Sequence, residues 1–202
     1  MATDPLLKGK PGRIDTVTVP PTTYLAITGK GAPEGAAYAH AVQALYTLAY
    51  GARFAGKALG HDDKVGPLEG LWWADDHAAF IEAGRREEWQ WRMMIRAPGW
   101  LGSVALEELR GKALVKKRGE GADFLAALDG VVLFDLDEGP CLQALHLGPY
   151  AAEGPLIARI HAEAESRGLA LGGPHHEIYL SDPRRVAADR LRTILRQPVQ
   201  AA

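Results

Sequence analysis

Hydrophobic and polar residues alternate along "RIDTVTV" (13–19) and "TYLAIT" (23–28), which predicts two strands broken at Pro20-Pro21. Beyond the loop "GKGAPEG", apolar residues in "AAYAHAVQALYTLAYGARF" fall at helical spacing and predict a helix of about five turns, apolar on one side. "KVGPLEGLWWAD" and "EWQWRMMIRAP" return to strand character and are joined by a loop near 75–87. "SVALEELRGKALVKK" reads as an amphipathic helix with Ser103 as its N-cap. The same order then recurs. "VVLFDLDEGPCLQALHLG" holds strand-like runs, and "PLIARIHAEAESRG" is a helix with Pro155 in its first turn and Gly168 at its close. "HHEIYLSD" is a strand, and "RVAADRLRTILRQP" carries the last one.

The two halves align. Residues 27–35 match 146–154 at an offset of 119, sharing Gly29/Gly148 and Glu34-Gly35/Glu153-Gly154. Residues 91–98 match 191–198 at an offset of 100, sharing two arginines and a proline. Both matches fall at corresponding places in the element order, which predicts a tandem strand–helix–strand–strand duplication. The fold class expected is α+β: the modules form an antiparallel sheet with helices on one face and a concave, uncovered face on the other.

Alternation then assigns side chains to faces. Trp89, Trp91, Met93 and Ile95 share one face of their strand; Gln90, Arg92, Met94 and Arg96 share the other. Glu69, Leu71 and Trp73 oppose Gly70 and Trp72. Four indoles within some twenty residues exceed what a small core needs, and they suit a pocket for a flat apolar or cationic ligand. The expected lining is Trp72, Trp73, Trp89, Trp91 and Met93, with Tyr38 and His146. In "HHEIYLSD", His176, Ile178 and Leu180 are assigned to the helix-covered core, while Glu177 and Tyr179 project into the concavity. A carboxylate beside aromatic walls has three roles open to it: balancing a bound cation, acting as a general base, or making a structural hydrogen bond.

Composition narrows the classes further. Of 202 residues, 47% are apolar and 24% charged, enough for a real core. The net charge of −2 supplies no basic field for a nucleic-acid backbone. The N-terminus lacks the apolar core of a signal peptide, no run approaches the roughly 18 apolar residues of a membrane helix, and Cys141 has no disulfide partner. The expectation is a soluble cytoplasmic protein. No metal or other cofactor is expected: alternation splits His175 from His176, and the remaining histidines are scattered. No G-x-S-x-G or GK[ST] is present, which removes the nucleophile elbow and the phosphate loop.

Several motifs together resemble the GyrI-like small-molecule-binding family: "PPTTYLAITGKGAP", "GLWW", "WQWRMMI", "EGPCLQALHLGPYAAE", "HHEIYLSDPRR" and "LRTILRQPV". The likeness spans about residues 10–199. It implies one domain made of module one (about 13–100), a linker helix (about 103–118) and module two (about 130–199), related by pseudo-twofold symmetry around a cleft for bulky planar compounds. In multidrug-sensing regulators of this family a buried glutamate meets the ligand's charge, and Glu177 matches it by motif. Only about a dozen residues precede the first strand, which argues against a direct transcription regulator. Some stand-alone members hydrolyse cyclopropane-bearing DNA-alkylating natural products. That resemblance implies Glu177 and Tyr179 as catalytic residues, with non-catalytic sequestration or sensing as the alternative. The family's name also implies a gyrase-interacting inhibitor as a further alternative, whose mark would be an acidic patch mimicking DNA; the acids here are dispersed.

Overall fold

The computed structural model describes residues 4–80 and 84–201. Along the chain run β1 (Ile14–Val19), β2 (Thr22–Lys30), α1 (Ala36–Ala58), β3 (Leu68–Trp73), β4 (Gln90–Arg96), α2 (Ser103–Lys116), α3 (Ala122–Asp129), β5 (Val132–Leu136), β6 (Gly139–Leu147), α4 (Gly154–Ser166), β7 (Leu169–Leu171), β8 (His175–Tyr179) and β9 (Arg192–Ala201). The fold is α+β, and its strands pair antiparallel. The duplicated order is present: β2, α1, β3, β4 and then β6, α4, β8, β9, with the short β7 added. Among the described residues no helix is long and apolar enough to cross a membrane.

Contacts divide the chain into two compact units. One comprises residues 4–21, 68–71 and 137–201; the other comprises 22–67, 72–80 and 84–136.

In the second unit the strand order is β4-β2-β5. The register sets Leu25 opposite Ile95, Ile27 opposite Met93 and Gly29 opposite Trp91, so these six share a face. Helix α1 buries Ala41, Ala44, Leu45, Leu48, Ala49 and Ala52, a helical stripe rich in small side chains. It runs to Ala58, a turn beyond the expected end, and stops at Gly60, whose φ of 89° suits glycine. Two expectations need correction. Gly102, not Ser103, occupies the N-cap of α2, and Ser103 is already helical. Helix α3, whose Phe124 and Leu128 are buried, was not foreseen: its eight residues are too few to show a period.

In the first unit the order is β1-β6-β9-β8, with β7 on the far end of β9 and residues 68–71 of β3 after β8. Helix α4 packs Ile160 and Ala164 onto Leu142, Ala144, Leu195 and Val199. Leu145, Ile178 and Ile194 form the opposite face, against which Leu7 and Leu180 pack. The faces expected for β8 are therefore exchanged. Glu177 pairs in register with Leu195, and so lies on the α4 side, while His176 and Ile178 lie on the other. The reason is a second cover. The amino-terminal segment, with a 3-10 turn at Pro5–Leu7, packs on the face opposite α4, so both faces are buried.

Candidate functional site

The first unit carries a polar group near the start of α4. Tyr179, Thr193 and His146 stand in one row across β8, β9 and β6. Glu177 is two residues before Tyr179 and shares its face. Beyond β6 the chain turns at Gly148, whose φ of 127° suits glycine. The 3-10 turn Tyr150–Ala152 follows, and then Glu153 at the N-cap of α4. The turn is held by Gly148 N–H donating to Leu191 O at 3.0 Å, and His146 Nε2 lies 3.2 Å from Pro149 O. Tyr150 thereby meets Tyr179 edge-on, with centroids 5.5 Å apart.

The electrostatics of this group are unusual for its composition. Glu153 is 3% exposed, and its Oε1 accepts no hydrogen bond among the described residues. Burial, and then the charge of Glu177, push its carboxyl up to about 9, against a smaller pull from the Thr193 hydroxyl. Burial likewise raises Glu177 to about 7, opposed by the Tyr179 hydroxyl that donates to it and by the charge of His176. Tyr150 is pushed up to about 12 by burial and by Glu153, Glu177 and Asp182. His175, 3.9 Å from Glu177, is pushed down to about 3 by burial and by the charges of His176 and His161. Near neutral pH the group can therefore hold a protonated and an ionised carboxyl side by side, the arrangement that separates an acid from a base.

On the opposite face lies a buried ion network. His176 is 3.1 Å from Glu69 and 2.9 Å from Glu138, and Arg196 Nη1 donates to Glu138 at 3.1 Å. Arg196 also donates to Gln143 Oε1 and, at 3.2 Å, to Leu6 O, while Gln143 Nε2 donates to Lys8 O. His176 and Arg196 are fully buried. For His176, burial is outweighed by Glu138 and Glu69, which raise its pKa. For Glu138, His176 and Arg196 outweigh burial and lower it. Two anions and two cations leave the network neutral, and its contacts fasten the amino-terminal segment.

The second unit holds the rings. Tyr38, in the first turn of α1, stacks on Trp72 at 6.0 Å and meets Trp91 edge-on at 5.4 Å. Trp72 meets Trp89 edge-on at 6.0 Å, and Phe80 lies 5.1 Å from Trp89. Trp91 lies across the strand at Gly29, where a Cβ would stand 2.2 Å from Trp91 Cη2. Its Nε1 donates to Gly31 O, and Trp89 Nε1 donates to Ala79 O. The Arg86 guanidinium covers Trp89 at 5.4 Å and pairs with Glu34. Stacked and edge-on pairs together give such a cluster both π-faces and edges.

The structure thus gathers Glu177, Tyr179 and His146 in one unit, and Tyr38, Trp72, Trp89 and Trp91 in the other. Met93 is fully buried on the α1 side of β4, and Trp73 is turned by alternation to the opposite side of β3 from Trp72. Sequence reasoning missed Glu153, Tyr150, Thr193 and Phe80 as neighbours of these groups. Glu153 had left a signal, as one of the identities shared by the two halves. Among the described residues no group of three His, Cys, Asp or Glu side chains is placed to hold a metal ion.

Comparison with known proteins adds a family. Residues 13–200 match the GyrI-like small molecule binding domain. An uncharacterized conserved protein from Listeria innocua is 34% identical, with 94% of this chain and 93% of that one covered at a TM-score of 0.83. A hydrolase from Listeria innocua is 33% identical over the same shares at 0.79, and a hydrolase encoded by lin2189 from that organism is 32% identical, again over 94% and 93%, at 0.81. No curated protein matches.

Proposed function

The chain belongs to the GyrI-like small-molecule-binding family, and on that premise we propose that it is a hydrolase that opens a strained ring in bulky, planar, hydrophobic xenobiotics. The observation that carries the reading is Glu177. It is a carboxyl with 15% of its side chain exposed, raised to about 7 by burial and hydrogen-bonded by a phenol. A base is most effective when its pKa lies near the working pH. Two relatives about one-third identical and named hydrolases support the same class.

In this reading the planar ring that reacts is taken beside Glu177 by Tyr150 and Tyr179, which meet edge-on, and the ring cluster of Tyr38, Trp72, Trp89 and Trp91 binds planar ligands by stacking within the second unit. Glu177 removes a proton from water as the water oxygen bonds to the methylene carbon of a conjugated cyclopropane. The carbon–carbon bond to the conjugated system breaks, and its electron pair moves to the conjugated carbonyl oxygen. As Glu177 takes up the proton it releases the Tyr179 hydroxyl, which then donates its hydrogen bond to the charge that develops there. Strain already activates such a substrate, so positioning and acid–base help suffice. The reading places this activity in the cytoplasm, in keeping with a single cysteine that has no disulfide partner.

The test follows ring opening of a cyclopropane-bearing alkylator by mass spectrometry, with wild type beside Glu177→Gln. Multiple turnovers lost in the variant are expected. Stoichiometric binding without product would replace catalysis by sequestration.

A further inference from the structure

Glu153 has no structural task that explains it. A carboxyl at a helix N-cap ordinarily accepts from the first free N–H groups, yet its side chain makes no capping bond. It is 3% exposed, its Oε1 is without a hydrogen bond, and no cation pairs with it among the described residues. A buried acid in that position is costly, and replacement by an apolar residue would relieve the cost. What surrounds it is instead the Glu177 group. The Thr193 hydroxyl lies beside it, Thr193 is the register partner of Tyr179, and Tyr150 of the preceding turn touches the Tyr179 ring.

We propose that Glu153 is the general acid paired with Glu177: it protonates the substrate oxygen that gains charge, while Glu177 takes the proton of the attacking water. This deepens the hydrolase reading and rests on it. The protons balance within the pair. Water gives one proton to Glu177, and its hydroxyl oxygen bonds to the ring carbon. The carbonyl oxygen, having received the electron pair of the broken carbon–carbon bond, receives the proton of Glu153. The site is left with Glu177 protonated and Glu153 ionised, and transfer between the two carboxyls restores it. No proton need enter from bulk water, which suits a buried site. The substrate class is narrowed accordingly, to strained rings conjugated to an oxygen that ends as a hydroxyl.

Groups on the pair's face are His175 and Tyr179 on β8, Thr193 on β9, His146 on β6, Tyr150 in the turn, Asp182 beyond β8 and His161 on α4, while the charge of His176 acts from the opposite face of β8. The profile of kcat/KM against pH should rise as Glu177 ionises, near 7, and fall as Glu153 ionises, near 9.

The experiment measures that profile for wild type and Glu153→Gln with the same alkylator, beside side-chain carboxyl carbon NMR titration of the free protein. Glu153→Gln should lower kcat by roughly 100-fold or more and abolish the alkaline fall while keeping the rise near 7. In the free protein Glu153 should titrate above Glu177. An alkaline fall that persists in Glu153→Gln, or kcat within a few-fold of wild type, overturns the proposal. If wild type turns nothing over, the hydrolase reading fails and the assignment of Glu153 as its acid falls with it. A Glu153 that titrates in the ordinary carboxylate range overturns the Glu153 assignment alone, whatever the turnover.

Discussion

Replacing Arg196 by methionine removes the centre of the buried ion network while keeping most of the side chain's length and bulk. Four hydrogen bonds go: one to Glu138 at 3.1 Å, two to Gln143 Oε1 at 3.2 and 3.0 Å, and one to Leu6 O at 3.2 Å. Glu138 keeps His176, so it is not stranded alone, but one of its carboxylate oxygens faces no cation in a site only 8% exposed. Breaking a buried ion pair from one side costs about 3–5 kcal/mol. The remaining contact to His176 argues for the lower end, about 3 kcal/mol, with roughly 1 kcal/mol more for the acceptors left short. That is a large part of the about 5–15 kcal/mol that holds an ordinary domain. Urea unfolding followed by tryptophan fluorescence should show the midpoint falling by about 2 M at an unchanged slope of about 2 kcal/mol/M. Acid should hurt the variant earlier than the wild type. The folded-state pKa of Glu138 is below its ordinary 4.5, so its stabilising share is present above 4.5 and lost as pH falls through the folded value. Without Arg196 that folded value rises and the loss begins sooner. Glu138→Leu combined with Arg196→Met should cost less than the two single losses summed. A loss under about 1 kcal/mol, or strict additivity of the two changes, would refute this account of the network.

The opposite limb belongs to His176. Its folded pKa is raised above 6.5, so its share is complete below 6.5 and fades as pH rises through the folded value; wild-type stability should decline on that limb and His176→Gln should not, by urea midpoints across pH. Gly29→Ala places a methyl 2.2 Å from the Trp91 ring, and should cost about 1–3 kcal/mol with an altered Trp fluorescence spectrum. Trp72→Ala and Trp89→Ala each remove a face of the ring cluster and should weaken binding of a planar fluorescent dye by roughly tenfold, by titration. Cys141, fully buried with its thiol pushed up to about 12, should react with a thiol reagent only as the protein unfolds.

Much of this was legible because period and punctuation agreed. The small-residue stripe of α1 and the Pro155 and Gly168 boundaries of α4 are local signals, and each element formed where they stood. The repeated identities marked the duplication for the same reason. What stayed hidden was long-range. Glu69, Glu138, His176 and Arg196 are far apart in sequence, and nothing local distinguishes a buried acid from a solvated one. The amino-terminal cover has a single 3-10 turn and shows no period, so the faces of β8 were assigned the wrong way round. Glu34 and Glu153 make the point within one motif. Both precede a helix and a shared glycine, yet Glu34 is exposed and paired with Arg86 while Glu153 is buried among carboxyl and phenol groups.

The first unit is assembled from three separated stretches of chain, and its innermost arginine, Arg196, lies in the last strand, β9. On the ribosome, where chain emerges at about 5–20 residues per second, Leu6 and Glu69 must therefore wait, exposed, until β9 appears. The strands and helices of the second unit are complete by Leu136 and can condense well before that. Birth order then runs against the order of assembly: residues 4–8 are made before the second unit and secured after it. A nascent chain stalled before Arg196 would carry a formed second unit and an unsecured segment around Leu6 and Lys8, open to proteases or chaperones.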